Sequence, residues 1–234
     1  MAVSAERIQI ASGGGNMSAY VAQPDGEARA AVIVIMEAFG LVPSIEKETE
    51  RVAAMGYVAI APDVYHRQGP DNTAGYDNLD KALGLMGKLD DAEYLDDMRA
   101  TIGCLRSRPD VGSASIGITG FCMGGRLSFL AARDLPREFK ASAPFYGGGI
   151  GALLDRADQI QCPMHLFFGE LDGFIPQEEV QQIDARLSAL GLDYKLDNYK
   201  GADHGFLCEE RPSYHPEVAK DAWSKLETFL AQNL

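Results

Sequence analysis

Ser115-Ile116-Gly117-Ile118-Thr119-Gly120-Phe121-Cys122-Met123-Gly124-Gly125 reads as a β-branched strand, a Gly-x-Cys-x-Gly corner and the start of a helix of small and apolar residues. This is the layout of a nucleophile elbow, with cysteine in the place that serine commonly holds. The nucleophile of such an elbow sits on a strained strand-to-helix turn. Glycines flank it because a β-carbon at either position would crowd neighbouring backbone. A helix that starts at the cysteine sets its amide ends and dipole beside the sulfur, which favours thiolate. The plain alternative is a core cysteine between glycines, since cysteine is among the most buried residue types.

On both sides of this stretch, apolar strand signals alternate with helical ones. Arg7–Ala11 and Met17–Gln23 flank Ser-Gly-Gly-Gly-Asn, a hairpin signal. Ala30–Met36 is a nearly pure apolar run, as for a strand buried on both faces of a parallel sheet. Ser44–Met55 has helical periodicity and stops at Gly56, and Tyr57–Ala61 is the next strand. Residues 64–88, rich in Gly, Asn and Asp, read as a surface excursion with one short helix. Asp91–Arg106 is a helix leading into the elbow strand, and Lys140–Tyr146 and Met164–Phe168 are further strands. A helix at Gln177–Leu190, an edge strand at Asp193–Tyr199 and an amphipathic helix at Pro216–Leu230 follow. The alternation predicts an α/β fold: one domain over 1–234, with a doubly wound, mostly parallel sheet and helices on both faces.

Bulk properties narrow the function classes. A chain of 234 residues with 46% hydrophobic and 24% charged content is an ordinary globular composition, large enough to hold a core without disulfides or metal. A net charge of −13 disfavours nucleic acid and acidic membrane surfaces as partners. Five acids in the eight residues Asp90–Asp97 read as a solvated helix face. Cys104, Cys122, Cys162 and Cys208 have neither metal-ligand nor redox spacing. With no signal-peptide run and no membrane-length segment, a reducing, cytoplasmic setting with free thiols is expected.

Functional residues of an α/β sheet gather at the C-terminal ends of its strands. Glu37, Cys122, Asp172 and His204 all fall at such ends. The chain order nucleophile, acid, histidine is the order expected of an α/β-hydrolase. In that reading Cys122 attacks, His204 takes its proton and later activates water, and Asp172 holds the imidazole tautomer. Backbone amides of Met123 and Ala38 are the expected oxyanion donors. Glu170 and Asp203 are rivals for the acid, although Asp203 is poorly placed to orient the ring of the residue beside it. His66, His165 and His215 read as structural, Cys104 and Cys162 as inert, and Gly147-Gly148-Gly149 as a turn. The role of Cys208 stays open.

Met36-Glu37-Ala38-Phe39-Gly40, Ala61-Pro62-Asp63, Gly120-Phe121-Cys122-Met123-Gly124-Gly125, Phe145-Tyr146-Gly147, Gly169-Glu170-Leu171-Asp172 and Ala202-Asp203-His204-Gly205-Phe206 run in order over nearly the whole chain. In them the sequence resembles the dienelactone hydrolase (carboxymethylenebutenolidase) family of the α/β-hydrolase superfamily. The resemblance implies a Cys122–His204–Asp172 triad and no cofactor or metal. It implies that Glu37 helps deprotonate Cys122 once substrate binds, with thiol and imidazole otherwise held apart. It also implies a pocket lined by Phe39, Tyr146 and Phe174. The family's muconate-pathway enzymes grip a substrate carboxylate with two arginines. Here one position is Cys208, and the segment matching the other offers only Lys81 and Lys88. Lys81 and Arg211 are the candidate substitutes, and a lysine does not reproduce a bidentate clamp.

The expected function is hydrolysis of a small ester or lactone through a Cys122 thioester, by a monomer or homodimer. The alternative is a non-catalytic or redox-sensing protein on a hydrolase fold, with Cys122 as an oxidisable thiolate. The identity of the acyl group is not encoded in these motifs.

Overall fold

A computed structural model describes residues 2–234. The chain divides into two compact units, one ending at Gly117 and one running from Ile118 to Leu234.

The first unit opens with a hairpin of β1 (Val3–Ser12) and β2 (Gly15–Pro24). Both residues of its two-residue turn, Gly13 and Gly14, have positive φ (58° and 79°). A turn of this kind matches the twist of the strands, and glycine takes it without steric cost. The hairpin is longer than the alternation in the sequence suggests, because β1 is mostly exposed and carries no apolar pattern at its start. β3 (Ala31–Ile35) and β4 (Val58–Pro62) are buried throughout and pair in parallel. The crossover between them is α1 (Pro43–Ala54), with proline in its first turn where no amide bond is lost. The strand order is β1-β2-β4-β3. After β4 come a 3-10 turn (His66–Gln68), α2 (Leu79–Met86) and α3 (Asp91–Ser107). The carboxylate of Asp90 caps α3 by accepting from the amides of Ala92 and Glu93.

The second unit takes up the chain within β5 (Ile116–Phe121) and continues through α4 (Met123–Asp134), β6 (Ala141–Phe145) and β7 (Met164–Gly169). Then come α5 (Gln177–Ala189), β8 (Tyr194–Tyr199) and α6 (Pro216–Asn233). Its strand order is β5-β6-β7-β8, with β6, β7 and β8 parallel. A 3-10 run at Ile150–Gln159, kinked at Arg156 and burying Ile150, Leu153 and Ala157, joins β6 to β7. Phe145 stacks on Phe167 at 4.2 Å between ring centroids, and Trp223 of α6 lies 6.0 Å from Phe121. Cys122, Tyr146, Asp172 and His204 each follow the end of a strand of this unit.

Candidate active site

Cys122 follows β5 directly and is the residue from which α4 springs. Its backbone holds φ 56° and ψ −119°, a region that L-residues rarely occupy. Gly120 makes the turn possible: a β-carbon there would fall 2.2 Å from the carbonyl oxygen of Gly124. A β-carbon on Gly125 would fall 2.3 Å from the carbonyl of Phe145, so α4 can approach β6 only as glycine. The amide of Met123 is the first of α4, at the positive end of the helix.

Asp172 divides its carboxylate between two tasks. Oδ1 accepts from the amides of Phe174 and Ile175 at 2.9 and 3.1 Å, which fixes the loop after β7. Oδ2 lies 2.7 Å from Nδ1 of His204. An ionised carboxylate only accepts, so Nδ1 carries the proton. Of the rivals, Glu170 accepts from the amide of Gly201, and Asp203 accepts from the amide of His204. Neither touches the ring nitrogen that Asp172 holds.

His204 is buried, and burial pulls its imidazole down. Hydrogen bonds with Asp172 and with Cys122 outweigh this, and its pKa is pushed up to about 10. The thiol of Cys122 is thus one of the two groups that act on the imidazole from within hydrogen-bonding reach. Tyr146 and Phe174 meet the His204 ring in edge contacts at 5.2 and 5.1 Å, and the Phe174 ring is 58% exposed. Tyr146 reaches this place through a positive φ of 35°, with Cys122 one of two such residues outside glycine among the described residues.

Cys208 is buried in the turn after His204. The guanidinium of Arg211 folds back onto that turn: a β-carbon on Gly205 would fall 2.3 Å from Nη1. Cys104 and Cys162 are also free thiols, and burial raises both, Cys162 to about 12. His165 pairs with Asp197, and His215 caps α6.

In the first unit, Glu37, Ala38 and Phe39 follow β3 and are buried. Glu37 Oε2 accepts from the hydroxyl of Tyr76 at 3.0 Å, and the Phe39 and Tyr76 rings lie 4.6 Å apart. Tyr65, fully buried, donates to the carbonyl of Ala38. Tyr65 and Tyr76 carry no periodic or motif signal in the sequence, because both lie in irregular chain. Lys81 pairs with Asp71, and His66 and Arg67 both bond to Asp97. Among the described residues, no three His, Cys, Asp or Glu side chains cluster as metal ligands would. No helix of the described chain is long and apolar enough to cross a membrane.

Residues 17–234 match the family model for the dienelactone hydrolase family. The chain belongs to the dienelactone hydrolase family. A relative from Synechocystis sp., named "Putative carboxymethylenebutenolidase", is 39% identical over 229 residues, covering 93% of this chain and 92% of the relative. Protein usf of Aquifex pyrophilus is 32% identical over 235 residues, covering 98% and 99%. A crystal structure titled as a "Putative Dienelactone Hydrolase" from Klebsiella pneumoniae superposes with a TM-score of 0.90 at 34% identity, covering 99% of this chain and all of that one. The fold is thus the α/β-hydrolase fold, with eight strands in a mostly parallel arrangement. As a member of this family the chain is a dienelactone hydrolase-like hydrolase.

Proposed function

We propose that this hydrolase cleaves a small ester or lactone through a thioester on Cys122. The observation that carries the reading is the His204 ring bonded to Asp172 at 2.7 Å and hydrogen-bonded to a cysteine on a strained elbow. The sulfur attacks the carbonyl carbon, its proton having passed to His204. The tetrahedral oxyanion takes hydrogen bonds from the Met123 amide and, by the family resemblance, from that of Ala38. His204 returns the proton to the leaving alcohol oxygen as the carbon–oxygen bond breaks, which leaves the thioester. Water then attacks with His204 as base, and acid and free thiol emerge. For Glu37, the family resemblance supports a second base that helps His204 to deprotonate Cys122 once substrate binds.

The test is a panel of lactones, aryl esters and thioesters, with Cys122→Ala as control. Activity is expected to fall by several powers of ten in that variant. Iodoacetamide should label Cys122 ahead of Cys104 and Cys162, whose burial disfavours thiolate. Full esterase activity in Cys122→Ala would falsify the reading.

A further inference from the structure

We infer that Tyr76 is a positioning residue for Glu37, the device by which the 72–76 segment sets the proposed second base. The inference rests on the role given to Glu37 under the proposed function. Glu37 is 1% exposed, and a buried carboxylate needs donors. Tyr76 supplies one from its hydroxyl to Oε2 at 3.0 Å. A bond from O–H to a carboxylate is of the stronger, charge-assisted kind. The phenol adds no charge of its own and fixes the carboxylate through one directed bond.

The contact belongs to a wider grip. The Tyr76 ring lies on Phe39 at 4.6 Å, and the amide of Ala74 donates to the carbonyl of Phe39 at 2.9 Å. Gly40, at φ 91°, comes so close that a β-carbon would lie 2.6 Å from the carbonyl of Asn72. Asn72 is itself anchored through its amide group to Asp63 at 2.7 Å. From the other side, Tyr65 holds the Ala38 carbonyl at 3.2 Å. The Glu37–Gly40 loop is thus held along its length, and the hydroxyl of Tyr76 reaches its acid from this segment. A side-chain donor carried on a segment held this firmly orients the carboxylate it bonds.

The experiment is a double-mutant cycle read by the burst of p-nitrophenol from a p-nitrophenyl ester, which reports thioester formation. Tyr76→Phe keeps the ring on Phe39 and deletes one O–H. It should slow the burst roughly tenfold and leave the half-saturating ester concentration within about twofold. In a Glu37→Ala background the same change should have no further effect, because the residue acts through Glu37. Thermal unfolding of each variant shows that the fold is kept. An equal slowing in both backgrounds, or an effect on half-saturation alone, overturns the inference. A full burst rate in Glu37→Ala also overturns it, while the Cys122→Ala control tests the thiol reading separately.

Discussion

Cys122 combines a reactive thiol with a backbone at φ 56° and ψ −119°. Such strain costs about 1–3 kcal/mol and persists only where the surroundings impose it. Glycine tolerates this region, and alanine does not. Cys122→Gly should therefore be more stable than Cys122→Ala by about 1 kcal/mol, the reverse of the usual order, as urea unfolding would show. An order with alanine ahead would mean that the turn is not strained. Asp172→Asn keeps an acceptor for the amides of Phe174 and Ile175 but aims an amide group at Nδ1 of His204. The fold should survive, and turnover should drop about 10³-fold or more because the ring takes the wrong tautomer. His204 also governs pH dependence. Its folded pKa, about 10, lies above its ordinary value of 6.5, so the folded chain binds the proton more tightly. The resulting stability is full below about pH 6.5 and is lost as pH rises toward 10. The stability gap between the parent chain and His204→Gln should shrink by a few kcal/mol over that window. A gap that widens with pH would contradict the assignment.

Among the elements, α3 is tied to the hairpin and to the turn after β4 through one acid. Asp97 is fully buried, takes hydrogen bonds from Ser12 and both terminal nitrogens of Arg67, and lies 3.1 Å from Nε2 of His66. Asp97→Ala should cost about 3–5 kcal/mol in urea unfolding, because it strands the partly buried Arg67 and leaves Ser12 without its acceptor. Hydrogen exchange should speed first in β1 and α3. A loss below about 1 kcal/mol would mean that the network adds nothing beyond surface pairs. Asp97 also marks a limit of sequence reading. The Asp90–Asp97 run looked like a solvated face, yet its last member is the buried hub, because a charge pattern does not tell which side of a helix meets an arginine from distant chain. Period and punctuation made the strands, their order along the chain and the elbow legible. The 3-10 run at Ile150–Gln159 was not, because its apolar face of Ile150, Leu153 and Ala157 is short, follows a glycine turn and is broken by a kink at Arg156. Cys122, Asp172 and His204 stood out because strand ends and chain order single them out, and the fold brings them together in one unit. Tyr65 and Tyr76 are held by contacts across irregular chain, which leave no trace in local spacing.

On the scale of the whole molecule, net charge opposes one class of substrate. At −13, the chain repels anions over distances comparable with the Debye length, about 30 Å at 0.01 M salt and about 10 Å at 0.1 M. A local cation works the other way at short range. Arg211 lies against Gly205, next to His204, while Lys81 is engaged with Asp71. The two effects separate by salt. If the global field dominates, kcat/KM for an anionic aryl ester should rise about threefold between roughly 0.01 and 0.5 M salt, and that of a neutral ester of equal size should stay level. If kcat/KM for the anionic ester falls instead, the short-range cation outweighs the field. Arg211→Gln should then lessen that fall and leave the neutral ester unaffected, because the variant removes a guanidinium from the turn beside the histidine.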